Sequence, residues 1–394
     1  MILLWRMFIF IIMVMMIKYE LKKVLRSKSL IVLLGILLFL NAAQIIYRVY
    51  PDHHGSLYEG KKKILAEIEG PITQENYDFL LNNYTITQQK VEAGNYQTDR
   101  VDKNTYSGYV FGDNQLFSEI FEDYKNCINY SNSIKNIITI AEENKQLTTN
   151  DSWKEYNNDF LKTYKQRNLS YYYDYALINS YLNYNFSFLL SLVLVIMLNT
   201  IIFLKEKQEG TVIYYKLVRN GKKRIFLPKI VTLILISGIT SIMFLLETFI
   251  IYFFLGADKG WLQPLYAITD FKFSASSISI ASYMIINNLM QIIGCVLFAL
   301  TIMTISKCMK YSYQAVIMGF IILILSILAY NTNFYSVIEF SSVKSLFIKN
   351  TELINLIIKG TINFLILIII NYILWFSGDF YETYFCRNIK NIFN

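Results

Sequence analysis

The chain has 394 residues and a formal net charge of +8; only 17% of its residues are charged, whereas 54% are hydrophobic. Soluble proteins carry charge on about a quarter of their residues, so this composition argues against a soluble globular protein. The positive charge does not indicate a nucleic-acid partner, because basic residues of membrane proteins collect on the cytoplasmic side. Four cysteines and two histidines do not indicate a disulfide framework, a metal site or a bound cofactor.

The first segment, residues 1–29, begins with an apolar stretch that is interrupted by Arg6. Crossing a bilayer takes about 20 largely apolar residues, and this stretch has fewer. No small-residue cleavage site of the kind that ends a signal peptide follows it. We therefore predict an entry helix that lies in or near the cytoplasmic membrane interface; a short seventh span is the alternative.

Six further stretches are long and apolar enough to cross a membrane, which predicts an all-α membrane protein with six transmembrane helices. The first span is predicted at residues 30–49. The other five lie within a domain at residues 186–378, and residues 379–394 form a cytoplasmic tail. The predicted spans are Leu30–Tyr47, Phe186–Leu204, Ile230–Leu255, Ile280–Ile305, Tyr311–Tyr330 and Leu353–Phe376.

A long polar segment, residues 50–185, separates the first two predicted spans. It contains 19 acidic and 13 basic residues, together with enough Leu, Ile, Phe and Tyr for a small folded domain. Stretches such as GKKKILAEIEG and YNNDFLKTYKQ have apolar residues at helical spacing, which predicts helices. We expect a mostly helical extracellular domain.

The distribution of basic residues predicts the orientation of the chain, because cytoplasmic loops carry an excess of Lys and Arg. Basic residues precede the first span and crowd the gap between the second and third spans, whereas the gaps after the third and fifth spans are nearly neutral. Both termini are therefore predicted to be cytoplasmic. The high content of Asn, Ile, Lys and Tyr is typical of a bacterial protein encoded by AT-rich DNA, so the bacterial cell membrane is the predicted location.

The gap between the second and third spans, Leu204–Ile230, reads LKEKQEGTVIYYKLVRNGKKRIFLPKI. Charges that only set topology would explain its lysines but not the apolar and aromatic run TVIYYKLV. Glycines flank this run on both sides, which is typical of a short, bounded helix. We predict a cytoplasmic helix near residues 208–221 that lies along the membrane.

These features resemble the ABC-2 type permeases, the membrane subunits of one class of ABC transporters. After the second span, members of that family have a Glu, a Gly-Thr pair, a short apolar helix, and a basic turn that leads to a Lys. This chain has Glu206, Gly210-Thr211, VIYYKLV, Asn220-Gly221-Lys222-Lys223-Arg224 and Lys229. In the family this helix is the coupling helix, which inserts into a groove on the ATPase. The family often has Thr-Pro or Ser-Pro before the turn, whereas this chain has Val218-Arg219-Asn220.

A second stretch, YELKKVLRSKSLIVLLGI at Tyr19–Ile36, resembles the entry helix of the same family. The resemblance implies a permease subunit, not itself an enzyme, that exports or extracts an amphipathic peptide, an antibiotic or a lipid-like substrate. Its partners would be an ABC ATPase subunit, a second permease copy or paralogue, and membrane lipids. ATP would be bound by the ATPase, because the sequence has no G-x-x-x-x-G-K-[ST] motif. The residues expected to dock the ATPase are Glu206, Glu209, Gly210, Thr211, Tyr215, Leu217, Arg219 and Arg224.

Polar residues inside the predicted spans are candidates for a transport path, because such residues are costly in a bilayer unless they serve a purpose. Glu247 in the third span is the strongest of them, and Asn199 and Gln291 are further candidates. Hydrogen bonding between helices is the alternative explanation for each.

A membrane receptor or sensor is the second hypothesis for the whole chain. Its extracellular domain would bind a ligand, and its cytoplasmic helix would dock a signalling partner. The long segment at residues 50–185 suits this hypothesis, but the five further spans argue against it.

Overall fold

The computed structural model of the chain describes residues 2–50, 55–94, 105–147, 151–165, 167–209, 221–272, 274, 276–309, 311–331, 337–344, 347 and 353–376. In these ranges the chain is helical apart from loops and one pair of two-residue strands, Gly70–Pro71 and Tyr171–Tyr172. The structure thus confirms the all-α fold class.

Six of the described helices are long and apolar enough to cross a membrane by length and composition, as the sequence predicts. They indicate a multi-pass membrane protein. In chain order these first to sixth spans are Lys28–Val49, Ala176–Leu204, Ile225–Phe254, Ile280–Cys308, Ser312–Tyr330 and Ile354–Trp375.

The second span lies at the centre of the helix bundle. Within their most apolar windows, 78% of the second span and 61% of the fourth are buried, against 17% of the first, fifth and sixth. The close packing of the fourth span depends on Gly294, where an added Cβ would lie 2.6 Å from Phe340 and 3.1 Å from Phe188. The first, fifth and sixth spans present apolar surface that suits lipid or another membrane protein.

The helix Ile2–Leu25 lies within residues 1–29, the segment predicted as the entry helix, and it packs against the third span. A short break at residues 26–27 separates it from the helix Lys28–Val49. Val24, only 1% exposed, belongs to the same apolar core as Leu30 and Phe226. The entry helix is therefore fixed to the bundle at its C-terminal end.

The polar domain, which is predicted from the sequence at residues 50–185, ends where the second span begins at Ala176, and it contains the helices Ser56–Ile68, Gln74–Glu92, Val110–Leu147 and Asp151–Tyr164. Its core holds Ile64, Leu80 and Tyr124, which have no exposed surface. The Tyr124 hydroxyl donates to the Thr73 carbonyl at 3.2 Å and accepts from the Thr73 amide at 2.9 Å. A helical domain with its own core thus sits between the first two spans.

A buried arginine fastens the polar domain to the loop between the third and fourth spans. Arg167 lies between the rings of Tyr164 and Tyr266, at 4.1 and 4.9 Å from their centroids. Its guanidinium donates to the Tyr130 hydroxyl at 3.3 Å and to the Ser274 carbonyl. Because Tyr266 and Ser274 belong to that loop, the domain and the bundle are joined by aromatic and hydrogen-bonded contacts.

The sidedness of the chain can be tested by cysteine labelling. We expect Glu143→Cys in the polar domain to react with a membrane-impermeant maleimide in intact cells, and Lys205→Cys to react only after permeabilisation. Background from Cys127 should be low, because burial raises the pKa of its thiol to about 11 and the reactive thiolate is scarce at neutral pH. The unmodified chain measures the remaining background. Labelling of Lys205→Cys in intact cells would contradict the predicted orientation.

Candidate functional site

The predicted docking residues lie only partly within the described chain. Gly210, Thr211, Tyr215, Leu217 and Arg219 lie outside the described residues, and of Arg224 the structure gives only the backbone, within the helix Gly221–Phe254. Glu206 and Glu209 are described. We call residues 206–224, which include all of the predicted docking residues, the docking segment. The structure provides the base of this segment, where the chain leaves the second span and enters the third.

Four charged side chains meet at this base. The Glu206 carboxylate lies 2.7 Å from the Lys229 ammonium and, through its other oxygen, 2.7 Å from the Lys23 ammonium. The Glu20 carboxylate lies 3.3 Å from Lys229 and 3.5 Å from Lys23. Lys229 is 1% exposed, Glu20 5% and Glu206 6%. We call these four residues the ion cluster; its two positive and two negative charges balance.

A local change of helix type supplies a further partner to the cluster. The second span continues from the α-helix Phe186–Asn199 into a π-helical turn, Thr200–Leu204. Within this turn the Ile202 carbonyl accepts a hydrogen bond from the Lys229 ammonium at 2.7 Å. π-helical turns are rare in proteins as a whole, and those that occur are often located at functional sites.

The cluster joins three elements that are far apart in sequence. Glu20 and Lys23 belong to the entry helix, Glu206 follows the second span, and Lys229 lies in the first turns of the third span. Burying a charge is costly unless it is paired, and removal of one partner from a buried pair costs about 3–5 kcal/mol. The three elements are therefore held at one fixed arrangement.

The electrostatics of Glu206 reflect this pairing. Burial by itself would raise the pKa of its carboxyl, but Lys229 and Lys23 outweigh burial and hold the pKa below its ordinary value. Glu206 is thus a carboxylate at neutral pH. Glu209, by contrast, is exposed and lies 4.0 Å from Lys205, an arrangement that stabilises a protein little.

The side chains of Ser312 and Lys307 make further contacts between elements at the same end of the bundle. The Ser312 hydroxyl, at the start of the fifth span, donates to the Gln208 side chain at 2.6 Å. The Lys307 ammonium donates to the Asn371 carbonyl at 2.7 Å and lies over the rings of Phe226 and Trp375. These contacts connect the docking segment to the fifth span, and the third span to the fourth and sixth.

The three residues predicted for a transport path lie in separate environments. The Asn199 amide donates to the Val195 and Ala299 carbonyls, at 3.1 and 3.3 Å. The Gln291 amide donates to the Ser341 carbonyl at 2.7 Å, and Glu247 accepts from Asn41 at 2.9 Å. Among the described residues no hydrogen bond or ion pair joins any two of the three. A role in a path remains a prediction.

The sequence analysis did not single out Glu20 and Lys23, and it placed Lys229 in the motif of the resemblance and among the lysines that topology alone would explain. One signal was available: Glu20 and Lys23 are three residues apart, so both lie on one face of a helix. Their pairing with Glu206 and Lys229 depends on tertiary packing that no local pattern reveals.

Replacement of Glu206 tests whether the ion cluster holds the base together. We expect Glu206→Gln to destabilise the purified protein in detergent by up to about 3–5 kcal/mol, because Lys229 and Lys23 lose their shared carboxylate. Glu209→Gln is the matched control and should change the unfolding temperature little. Equal unfolding temperatures for the two variants would contradict the analysis.

The lowered pKa of Glu206 predicts that the effect of Glu206→Gln on stability depends on pH. A carboxyl whose pKa is lowered on folding stabilises the folded state above its ordinary pKa, and this stabilisation is lost as the pH falls through the lowered value. The difference in unfolding temperature between the unmodified chain and Glu206→Gln should therefore be full at neutral pH. It should shrink below the ordinary pKa of 4.5. A difference that grows with acidification would be inconsistent with a paired carboxylate.

Comparisons of the chain with protein-family models, with curated proteins and with solved structures found no match. What supports a function is therefore the arrangement of this chain's own residues: six apolar helices, a polar domain between the first two, and an ion cluster at the base of residues 210–220.

Proposed function

We propose that the chain is the permease subunit of a bacterial ABC transporter of the ABC-2 type, with both termini and residues 210–220 in the cytoplasm. The polar domain would lie outside the cell. The subunit would export or extract an amphipathic peptide, an antibiotic or a lipid-like molecule, driven by ATPase subunits bound in trans. The observation that supports the proposal most is the ion cluster.

A transporter of this kind needs a stiff element that passes movement from a soluble motor to membrane helices. The described chain on the two sides of residues 210–220 is brought together by the cluster, because Glu206 precedes these residues, Lys229 follows them, and the two charges lie 2.7 Å apart. A push on a helix within this segment would reach the second and third spans together. The entry helix would follow, since Glu20 and Lys23 complete the cluster.

The docking surface would combine apolar and charged residues of the predicted helix near 208–221. Tyr215 and Leu217 would fill a groove on the ATPase. Glu209, Arg219 and Arg224 would pair with charges around that groove or, for the arginines, with lipid phosphates. Gly210 and Thr211 would begin the helix.

A second permease copy or a paralogue would complete the transporter. The largely unburied apolar faces of the first, fifth and sixth spans leave room for such a partner and for lipid.

Co-purification tests the proposal directly. We expect an ATP-binding-cassette subunit to copurify with the full chain from its native membrane in mild detergent, and to be lost with Tyr215→Asp and with Gly210→Pro. The first variant places a charge on the docking face, and the second breaks the helix start. The recovered subunit should contain a P-loop by mass spectrometry, and the complex should hydrolyse ATP.

Glu143→Gln in the polar domain serves as the matched control and should retain the ATPase. Each variant should keep the unfolding temperature of the unmodified chain, which separates lost docking from misfolding. Recovery of no ATPase, or equal recovery with Tyr215→Asp, would overturn the proposal. A copurified kinase or other signalling protein would instead support the receptor hypothesis.

A further inference from the structure

We infer that Glu247, together with the side chains that hold it, forms a binding site for the ammonium or guanidinium group of a cationic amphiphile. The ligand would enter between the first and third spans from the side that carries the polar domain. The inference deepens the proposed function by naming a substrate class and a site, and in that sense rests on it; the binding itself requires no ATPase.

A fully buried asparagine holds the Glu247 carboxylate in place. The Asn41 amide nitrogen donates to Glu247 at 2.9 Å and to the Thr248 hydroxyl at 3.1 Å. The Asn41 oxygen accepts from the Tyr184 hydroxyl at 2.8 Å. Asn41 has no exposed surface. Both amide hydrogens and the oxygen of Asn41 are thus used, so residues from three spans fix one orientation of the carboxylate.

The Glu247 carboxylate has no cationic partner among the described residues, where Asn41 is its hydrogen-bond donor. Glu247 lies seven residues before Phe254, the last residue of the third span. At a rise of 1.5 Å per residue, this places it ~10 Å along the helix from the end of the span. A carboxylate at such a depth is costly unless a cation, a proton or water compensates it. A bound cation would therefore be stabilised strongly at this position.

Apolar side chains surround the carboxylate on the open side of the third span. Met243, Ile250 and Phe254 lie at spacings of four, three and seven residues from Glu247, which places them on its face of the helix. They are 37%, 49% and 83% exposed. A face with one half-buried carboxylate in an apolar stripe matches a ligand with one cationic group on a hydrocarbon body.

A cleft of about 850 Å³ opens above this face, between the polar domain and the ends of the first and third spans. Phe254 belongs to both the stripe and the lining of the cleft. Because acidic and basic side chains line the cleft in equal number, the cleft does not select a ligand by its charge. The four acidic residues are Glu69, Glu119, Asp174 and Asp258, and the four basic residues are Arg48, Lys61, Lys62 and Lys259. The cleft would be the route by which an amphiphile reaches the apolar stripe at Phe254, and Glu247 would provide the selection for a cation.

The test measures binding of dodecylammonium to the purified full chain in nanodiscs of zwitterionic lipid, without any ATPase. Empty nanodiscs correct for partitioning into lipid, and dodecanol is the uncharged probe. We expect the protein to bind dodecylammonium but not dodecanol above the lipid background, and Glu247→Gln to weaken binding by about tenfold or more. Glu247→Gln has the same shape and keeps a group that can accept from Asn41.

Two controls make the result specific. Glu143→Gln removes an exposed carboxylate of the polar domain that lies outside both the cleft and the Asn41 network, and it should leave the affinity unchanged. Glu247→Asp keeps the charge and should retain more affinity than Glu247→Gln, which separates loss of charge from a folding defect.

The inference would be overturned by equal affinities of the unmodified chain and Glu247→Gln, by equal binding of dodecanol, or by an equal loss with Glu143→Gln. None of these results would contradict the proposed docking of an ATPase, because the binding test contains no ATPase. Conversely, failure to recover an ATPase would leave this site standing.

Discussion

Glu20, Lys23, Glu206 and Lys229 place four full charges inside the protein, at the end of the bundle that carries the docking segment. Each carboxylate is in reach of two ammonium groups only while the entry helix and the second and third spans keep their places. If one helix moved away, charges would be left in the interior without partners, which costs several kcal/mol per ion. The geometry of that end of the bundle depends on this pairing.

The two spans that hold the docking segment also reach the Glu247 network. The second span contains Tyr184, which donates to Asn41, in the break between its helices Ala176–Leu182 and Phe186–Asn199, and it ends at Leu204, just before Glu206. The third span runs from Lys229 in its first turns to Glu247 near its other end. The same two spans thus contact the ion cluster and the network around Asn41. A movement that turns or tilts them together would change both sites at once.

The sequence predicts the six spans well because their signal is local: each is a continuous apolar run of sufficient length. The ion cluster is not local, since Lys23 and Glu206 are 183 residues apart. Charges near span ends also have an ordinary role in setting orientation, which gave Lys229 a sufficient explanation from sequence alone. Asn41 escaped notice for a related reason, because one amide in an apolar run gives no indication of its partners.

An apolar contact could hold the three elements together as firmly as the ion cluster does, since replacing a buried ion pair by well-packed apolar residues is often neutral or stabilising. The two kinds of contact differ in their response to sliding. An apolar surface can be shifted by a helical turn and still find apolar neighbours. A shift of about 5.4 Å, one turn, would separate Glu206 from both lysines and leave the Ile202 carbonyl without Lys229. The cluster therefore permits the entry helix and the two spans to move as one body and opposes sliding between them, which is the behaviour that the proposed coupling to an ATPase would need.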